Sequence, residues 1–281
     1  MSRLRIVHRT GFDYEHPATA SYNEVRMLPQ TGDEQWVLQA GLDIRPVAAQ
    51  HSYQDYWGSR VSTFEVLTPH TELSVTATSV VESRERAEDL TDIEWDELPA
   101  LADRDTMFVE FGRQTALTEP PAELRTLVKQ LRKRRLGVRA TAREILTAIG
   151  EAIQYTPGST GVHTSAADAW AGRTGVCQDF AHLAIGALRE AGIPARYVSG
   201  YLHPRPDAAL GETVAGESHA WVEYFAGSWQ GYDPTNLIEI GERHVHVARG
   251  RDYADVSPLR GVYAGPSTSS LFVTVEITRE A

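Results

Sequence analysis

Over the first eighty positions, hydrophobic residues alternate with polar ones. Leu4, Ile6 and His8 alternate with Arg3, Arg5 and Val7, and Trp36 to Ile44 repeats the period before Pro46. Val61 to Val66 and Leu73 to Val81 repeat it again on either side of Thr68-Pro69-His70, with turn residues at His16-Pro17 and Gly58. A period of two puts alternate side chains on opposite faces of a strand, so these runs predict an antiparallel β-sandwich or barrel. Residues 82 to 105 break the pattern with ten acidic residues against three arginines, which predicts a linker or surface excursion. Beyond it the period becomes helical. Pro120-Pro121 opens one helix with Leu124, Leu127, Val128 and Leu131 on one face. Thr141 and Glu144 have capping-box spacing ahead of Ile145, Leu146, Ile149 and Ile153, and Ser165 and Gly172 bracket a short helix.

Composition narrows the function classes. The chain has 281 residues and a formal net charge of −11, a poor match for the phosphate backbone of nucleic acids. Its one basic cluster, Lys129 to Arg135, falls on the tail of a predicted helix and reads as a solvated face, with contact to an anionic partner as the alternative. No apolar run approaches the roughly 20 residues of a membrane span, and none at the N-terminus has the core of a secretion signal. The expectation is a cytoplasmic protein with no membrane partner. The sequence holds one cysteine, Cys177, so an intramolecular disulfide and a multi-cysteine zinc site are excluded.

A lone cysteine is either a small buried hydrophobe or a reactive thiol. Gly175-Val176-Cys177-Gln178-Asp179 precedes an apolar stripe of Phe180, Leu183, Ala184, Ala187, Leu188 and Ala191, stopped by Gly192 and Pro194. Cys177 therefore falls at a helix start, where unpaired N–H groups and the positive dipole end favour an anion. Gly175 beside it would admit a substrate backbone, and Asp179 reads as a helix-start carboxylate. His182 lies five residues along the helix, about 140° round from Cys177, and is a poor base for it. His219 is better placed. It lies on a predicted strand that turns at Ala226-Gly227 and returns to Asp233-Pro234. With a two-residue loop, His219 comes opposite position 234, one step from Asp233, within reach of a carboxylate that could hold its imidazole.

The segments GVCQDFAHLAIGALREAGIPARYVSGYL (175–202) and ESHAWVEYFAGSWQGYDPTN (217–236) resemble the bacterial transglutaminase-like core, a papain-like thiol fold with the order Cys, His, Asp. HRTGFDYEHP, SYNEVRMLPQ, DYWGSRVSTFEV and PHTELSVTATSVVE resemble the β-domain that precedes that core, and GRDYADVSPLRGVY (250–263) resembles its tail. The resemblance maps the nucleophile onto Cys177, the base onto His219 and the orienting carboxylate onto Asp233, the three residues reached above from spacing alone. It implies an α+β protein: an N-terminal antiparallel β-sandwich (1–85), an acidic linker or excursion (86–119) and a papain-like catalytic core of helices on an antiparallel sheet with a C-terminal β tail (120–281).

The chemistry implied is acyl transfer on a peptide or amide substrate through a Cys177 thioester. The oxyanion would be held by the Cys177 N–H and a second donor, for which Tyr155 and Gln178 are candidates. A cysteine amidase or peptidase is the leading expectation. A true transglutaminase forming isopeptide cross-links and a non-catalytic peptide-binding module with a vestigial thiol are the alternatives. No cofactor is implied. His244 and His246 have strand spacing that puts both rings on one face, but with no third ligand apparent no metal site is expected. Trp221 and Trp229 read as core or cleft wall, and by resemblance Asp252 and Tyr253 border the cleft.

Overall fold

The alternating N-terminal runs form long strands of two antiparallel sheets in the computed structural model, which describes residues 1–84, 91–216, 218–266 and 268–281. The first sheet runs Thr213–Gly216, Ser269–Arg279, Ser2–Ala18, His70–Ser83 and Gln35–Arg45 in spatial order. The second runs Leu259–Ala264, Ala20–Val25, Arg60–Val66 and Gln50–Gln54. Inward side chains such as Tyr14, Val25, Phe64, Val66, Leu73 and Val75 form a core between them. The sandwich expected from the period of two is therefore present. Two N-terminal strands escaped the pattern, Ala20–Val25 and Gln50–Gln54, and Gln50–Gln54 is exposed along its whole length, so it has no buried face to alternate.

The sandwich does not end at residue 85. Strands from beyond residue 212 complete both of its sheets, with Leu4 opposite Arg279 and Val25 opposite Leu259. Seventeen residues make Ser2–Ala18 long enough to serve two cores. Its far half packs inside the sandwich, whereas Leu4 and Ile6 join Val81, Val275 and Ile277 in the core of the helical half. The boundaries expected at 85 and 120 thus separate stretches of sequence that share sheets and core.

The acidic stretch is likewise only partly an excursion. Among its described residues Leu98, Leu101 and Phe111 are buried, and Thr106–Gly112 is helical. The Trp95 indole N–H donates to the Leu136 carbonyl at 2.8 Å, and Gln114 Nε2 donates to the Gly186 carbonyl at 2.8 Å. A few large apolar residues suffice to anchor a segment whose remaining positions are charged and solvated. Residues 85–90 of the expected linker lie outside the described residues.

The helical half contains Ala122–Arg132, Val138–Ala152, Ala166–Gly172 and Cys177–Glu190, packed beside a third antiparallel sheet. That sheet runs Ile238–Glu239, Trp229–Asp233, Ser218–Phe225, Ala195–Leu202 and His244–Gly250. Ser165 caps its helix through a reciprocal pair with Asp168, as its spacing predicts. Thr141 does not cap: the helix begins at Val138, and Thr141 lies buried inside it. Val138 itself is fully buried, so apolar packing carries the helix a turn beyond the polar signal.

Candidate active site

Cys177 is the first residue of the helix Cys177–Glu190. What fixes that start is Asp179, whose Oδ2 accepts the Val176 N–H at 2.8 Å and the Thr160 hydroxyl at 2.6 Å. Asp179 is thus the helix-start carboxylate expected, and burial pushes its pKa up against these hydrogen bonds. Gly175 has a different reason from the one its sequence invites. A Cβ there would stand 2.7 Å from Asp179 Cβ, so the glycine makes room for the capping carboxylate, not for substrate backbone. Just upstream, Gln154–Tyr155 pairs in parallel with Thr174–Gly175, which places Tyr155 beside the approach to Cys177.

His219 and Asp233 come from neighbouring strands of the third sheet. The turn between them holds three residues, Ala226 to Ser228, with Gly227 at φ +91°, and the register sets Val222 opposite Tyr232. This is one residue longer than the expected loop. The difference decides the geometry, because a one-residue slip sends every side chain to the other face. Extended to the strand ends, the observed register sets His219 against position 235, so it and Asp233 are diagonal neighbours on the same face. The shorter loop would have turned them to opposite faces.

His219 Nε2 lies 2.7 Å from Asp233 Oδ2, and the Cys177 thiol is within hydrogen-bonding reach of the same ring. With Nε2 committed to the carboxylate, Nδ1 is the ring nitrogen left for sulfur. The sulfur also faces the Ser218 carbonyl oxygen at 4.0 Å. Burial disfavours a charged His219, but Asp233 and Cys177 outweigh it and raise the imidazole pKa above its ordinary value. Asp233 is fully buried, which opposes its charge, yet its hydrogen bonds hold its pKa well below the usual carboxylate range.

Three further residues converge on that carboxylate. Asn236 Nδ2 donates to Asp233 Oδ2 at 2.7 Å, and the Thr235 and Asn236 N–H groups donate to Oδ1 at 2.9 and 3.1 Å. His244 Nε2 stands 3.7 Å from Oδ2, while its Nδ1 accepts the Gly241 N–H at 3.3 Å. Asn236 was visible only as the end of an Asp-Pro-Thr-Asn turn. His244 was visible only as half of a His-x-His pair, with nothing to say that Asp233 would face it. Among the described residues no group of three or more His, Cys, Asp or Glu is gathered as a metal would require.

His182 is fully buried away from the thiol. Its Nε2 accepts the Tyr253 N–H at 3.1 Å, and burial lowers its pKa to about 3, so the ring is neutral. Through that bond it holds Tyr253, which lines the cleft, whereas Asp252 caps the short helix behind it by accepting the Ala254 N–H at 2.8 Å. Trp221 is buried core, and Trp229 stacks on Phe108 with centroids 6.0 Å apart.

The cleft has a volume of about 370 Å³ and is lined by Cys177, His219, Tyr155, Gln178, Tyr197 and Tyr253, with Val273 and Val275 of the C-terminal strand opposite. Both oxyanion candidates are therefore at the cleft, although Gln178 Nε2 already reaches the Val162 carbonyl at 3.4 Å. The Cys177 N–H, at the first helical position, has no carbonyl four residues back to accept it.

Comparison with known proteins agrees with this architecture. Residues 4–82 match the bacterial transglutaminase-like N-terminal region, and residues 125–234 match the transglutaminase-like superfamily. An uncharacterized protein of Mycobacterium leprae is 46% identical over the full length of both chains. A candidate cysteine protease from Cytophaga hutchinsonii, 23% identical, shares the fold with a TM-score of 0.78, covering 99% of this chain and 91% of that one. A protein-glutamine gamma-glutamyltransferase of Pseudomonas aeruginosa is 37% identical over 101 residues, 31% of this chain and 15% of its own. With its bacterial N-terminal region, its core and the thiol, imidazole and carboxylate that the core brings together, the chain belongs to the transglutaminase-like superfamily, a family of thiol-dependent enzymes of the cysteine protease and transglutaminase kind.

Proposed function

We propose that this protein is a cysteine amidase or peptidase that cleaves an amide bond through a thioester on Cys177. The observation that carries the reading is the meeting of the Cys177 thiol, the His219 imidazole and the buried Asp233 carboxylate at one cleft. The buried Asp233 carboxylate favours the charged form of the His219 ring, and a cationic imidazole beside sulfur is the partner a thiol nucleophile needs. The thiolate adds to the amide carbonyl carbon, and the Cys177 N–H faces the developing oxyanion with Tyr155 or Gln178 as second donor. His219 then gives its proton to the departing nitrogen as the C–N bond breaks, leaving the thioester and a free amine. Water attacks that thioester, His219 takes its proton, and a carboxylic acid departs as the thiolate returns. Asp233 holds the imidazole in orientation throughout.

The local similarity to the gamma-glutamyltransferase favours a second reading, in which a primary amine replaces water and an isopeptide bond forms. Intact-mass analysis after incubation with a library of peptide amides, with and without a primary amine, separates the two. Hydrolysis adds one unit to products in which –CONH2 has become –COOH, whereas transamidation yields adducts only when amine is present. If no peptide amide is altered and no acyl-enzyme mass appears, the peptide-binding module takes the lead.

A further inference from the structure

The third sheet has a second cavity, of about 260 Å³, that the chemistry above does not use. It shares one residue with the site: His244, the second histidine on Asp233, lines this cavity, whereas His219 lines the cleft. Its other walls include His203, Arg205, Arg243 and Arg279, with Glu239 and Glu242 as its carboxylates.

The polar groups here do not balance. His203 is buried, and its Nδ1 accepts the Arg205 backbone N–H at 3.2 Å, so in the neutral ring the proton is on Nε2. That Nε2–H is buried without a partner among the described residues, and so is Arg279 Nε. Arg279 otherwise donates to the Ala208 carbonyl at 3.2 Å, and Arg243 to the His203 carbonyl at 3.0 Å. Neither guanidinium has a carboxylate partner among the described residues. The carboxylates on the wall are already engaged: Glu239 pairs with Arg143, and Glu242 with the N-terminal ammonium at 2.8 Å. Arg205 is neutralised by Glu212. Both unneutralised arginines bear on His203, whose pKa is lowered by burial and then by their charge.

One orphan imidazole N–H and two guanidiniums without a carboxylate, that of Arg279 with its Nε–H unpartnered as well, lack the same thing around one cavity, an anionic acceptor. Water could satisfy the N–H groups but would leave both charges uncompensated, whereas an oxyanion answers both through charge-assisted hydrogen bonds. Arginine forks suit the planar edge of a carboxylate or the face of a phosphate. We propose that this cavity is a binding site for a small oxyanion, held by Arg243, Arg279 and the His203 Nε2–H, adjoining the candidate active site through His244.

Calorimetric titration of the full chain with inorganic phosphate and, separately, with succinate tests this against sodium chloride at matched ionic strength. At least one of the two should saturate, and which one does assigns phosphate or carboxylate chemistry. Arg243→Gln and Arg279→Gln should each weaken that binding at least tenfold, and Arg205→Gln, whose charge Glu212 already takes, should leave it within about twofold. Cys177→Ser should bind like wild type, which places the ligand outside the cleft. Should a glutamine variant fail to fold, Arg243→Lys, which keeps charge without the planar fork, gives the same comparison. The proposal is overturned if neither anion saturates, if binding survives undiminished in the folded arginine variants, or if Cys177→Ser abolishes it.

Discussion

At the scale of single residues, Asp233 is the most heavily committed group in the site. It accepts from His219, from the Asn236 side chain and from two backbone N–H groups, and none of its surface reaches solvent. Asp233→Asn would remove the charge that favours the imidazolium but leave the base in place, so alkylation of Cys177 at pH 6 should slow by less than His219→Ala slows it. His182 has a different role. Because its ring is buried and accepts the Tyr253 N–H, His182→Ala should cost about 2–4 kcal/mol of stability in urea unfolding, from a cavity and an orphaned donor. That Cys177 starts a helix and that His219 and Asp233 share a hairpin was legible in local spacing, but the face the latter two share depends on a turn one residue longer than expected. Asn236 and His244 were not legible, because what they touch is set by how the hairpin end and the strand His244–Gly250 meet.

At the scale of elements, apolar period located four long N-terminal strands, the hairpin of His219 and Asp233 and the four helices beside it, but not Ala195–Leu202, Leu259–Ala264 or Ser269–Arg279, and turn length was the weakest inference. The hairpin between His219 and Asp233 is one residue longer than its glycine implied, and that residue puts the two side chains on one face. The acidic segment shows the opposite limit. Its charge predicted a surface path, but a close approach to the cysteine helix is invisible in composition. Gly186 lies where that segment crosses: a Cβ there would stand 2.0 Å from the Thr118 carbonyl oxygen, a backbone atom with little freedom to yield. Gly186→Ala should therefore destabilise the protein by about 1–3 kcal/mol, measured as a lower urea midpoint, although alanine is the better helix former. An unchanged or raised midpoint would mean that the segment does not pack on the helix.

For the whole molecule, the C-terminal strand Ser269–Arg279 joins the ends of the chain and supplies one wall of the cleft. A chain ending at 268 would expose Leu4 and Ile6 and lose Val273 and Val275, so it should be poorly soluble and unreactive at Cys177. Acid sensitivity is a second property of the whole. Burial lowers the pKa of His8 to about 4 and of His182 and His246 to about 3, while in the unfolded chain each titrates near 6.5. Between about pH 6.5 and 4 the unfolded state binds more protons, so stability falls as pH falls through that window, by up to about 1.4 kcal/mol per pH unit for each ring. His219 is shifted the other way: well below pH 6.5 it is charged in both states and adds nothing to this slope, whereas between pH 7 and 6 it opposes the decline of the three buried rings. Urea midpoints at pH 7, 6 and 5 should decline, and less steeply in His8→Asn; a flat series would contradict neutral buried rings. The N-terminal sheets were legible as sheets, but not as partners of residues 213–279, since nothing in a strand's alternation says which distant strand it will pair with.

The central claim is that Cys177 and His219 act as one nucleophilic unit, and alkylation by iodoacetamide across pH 5 to 9 tests it most directly. Wild type should react readily at pH 6, where an isolated thiol is almost wholly protonated, and His219→Ala should react at least tenfold more slowly there, the two rates converging as the pH rises past about 8.5. Equal rates for the two proteins across the whole range would mean that the imidazole does not support the thiolate, and the assignment of Cys177 as nucleophile would fail with it.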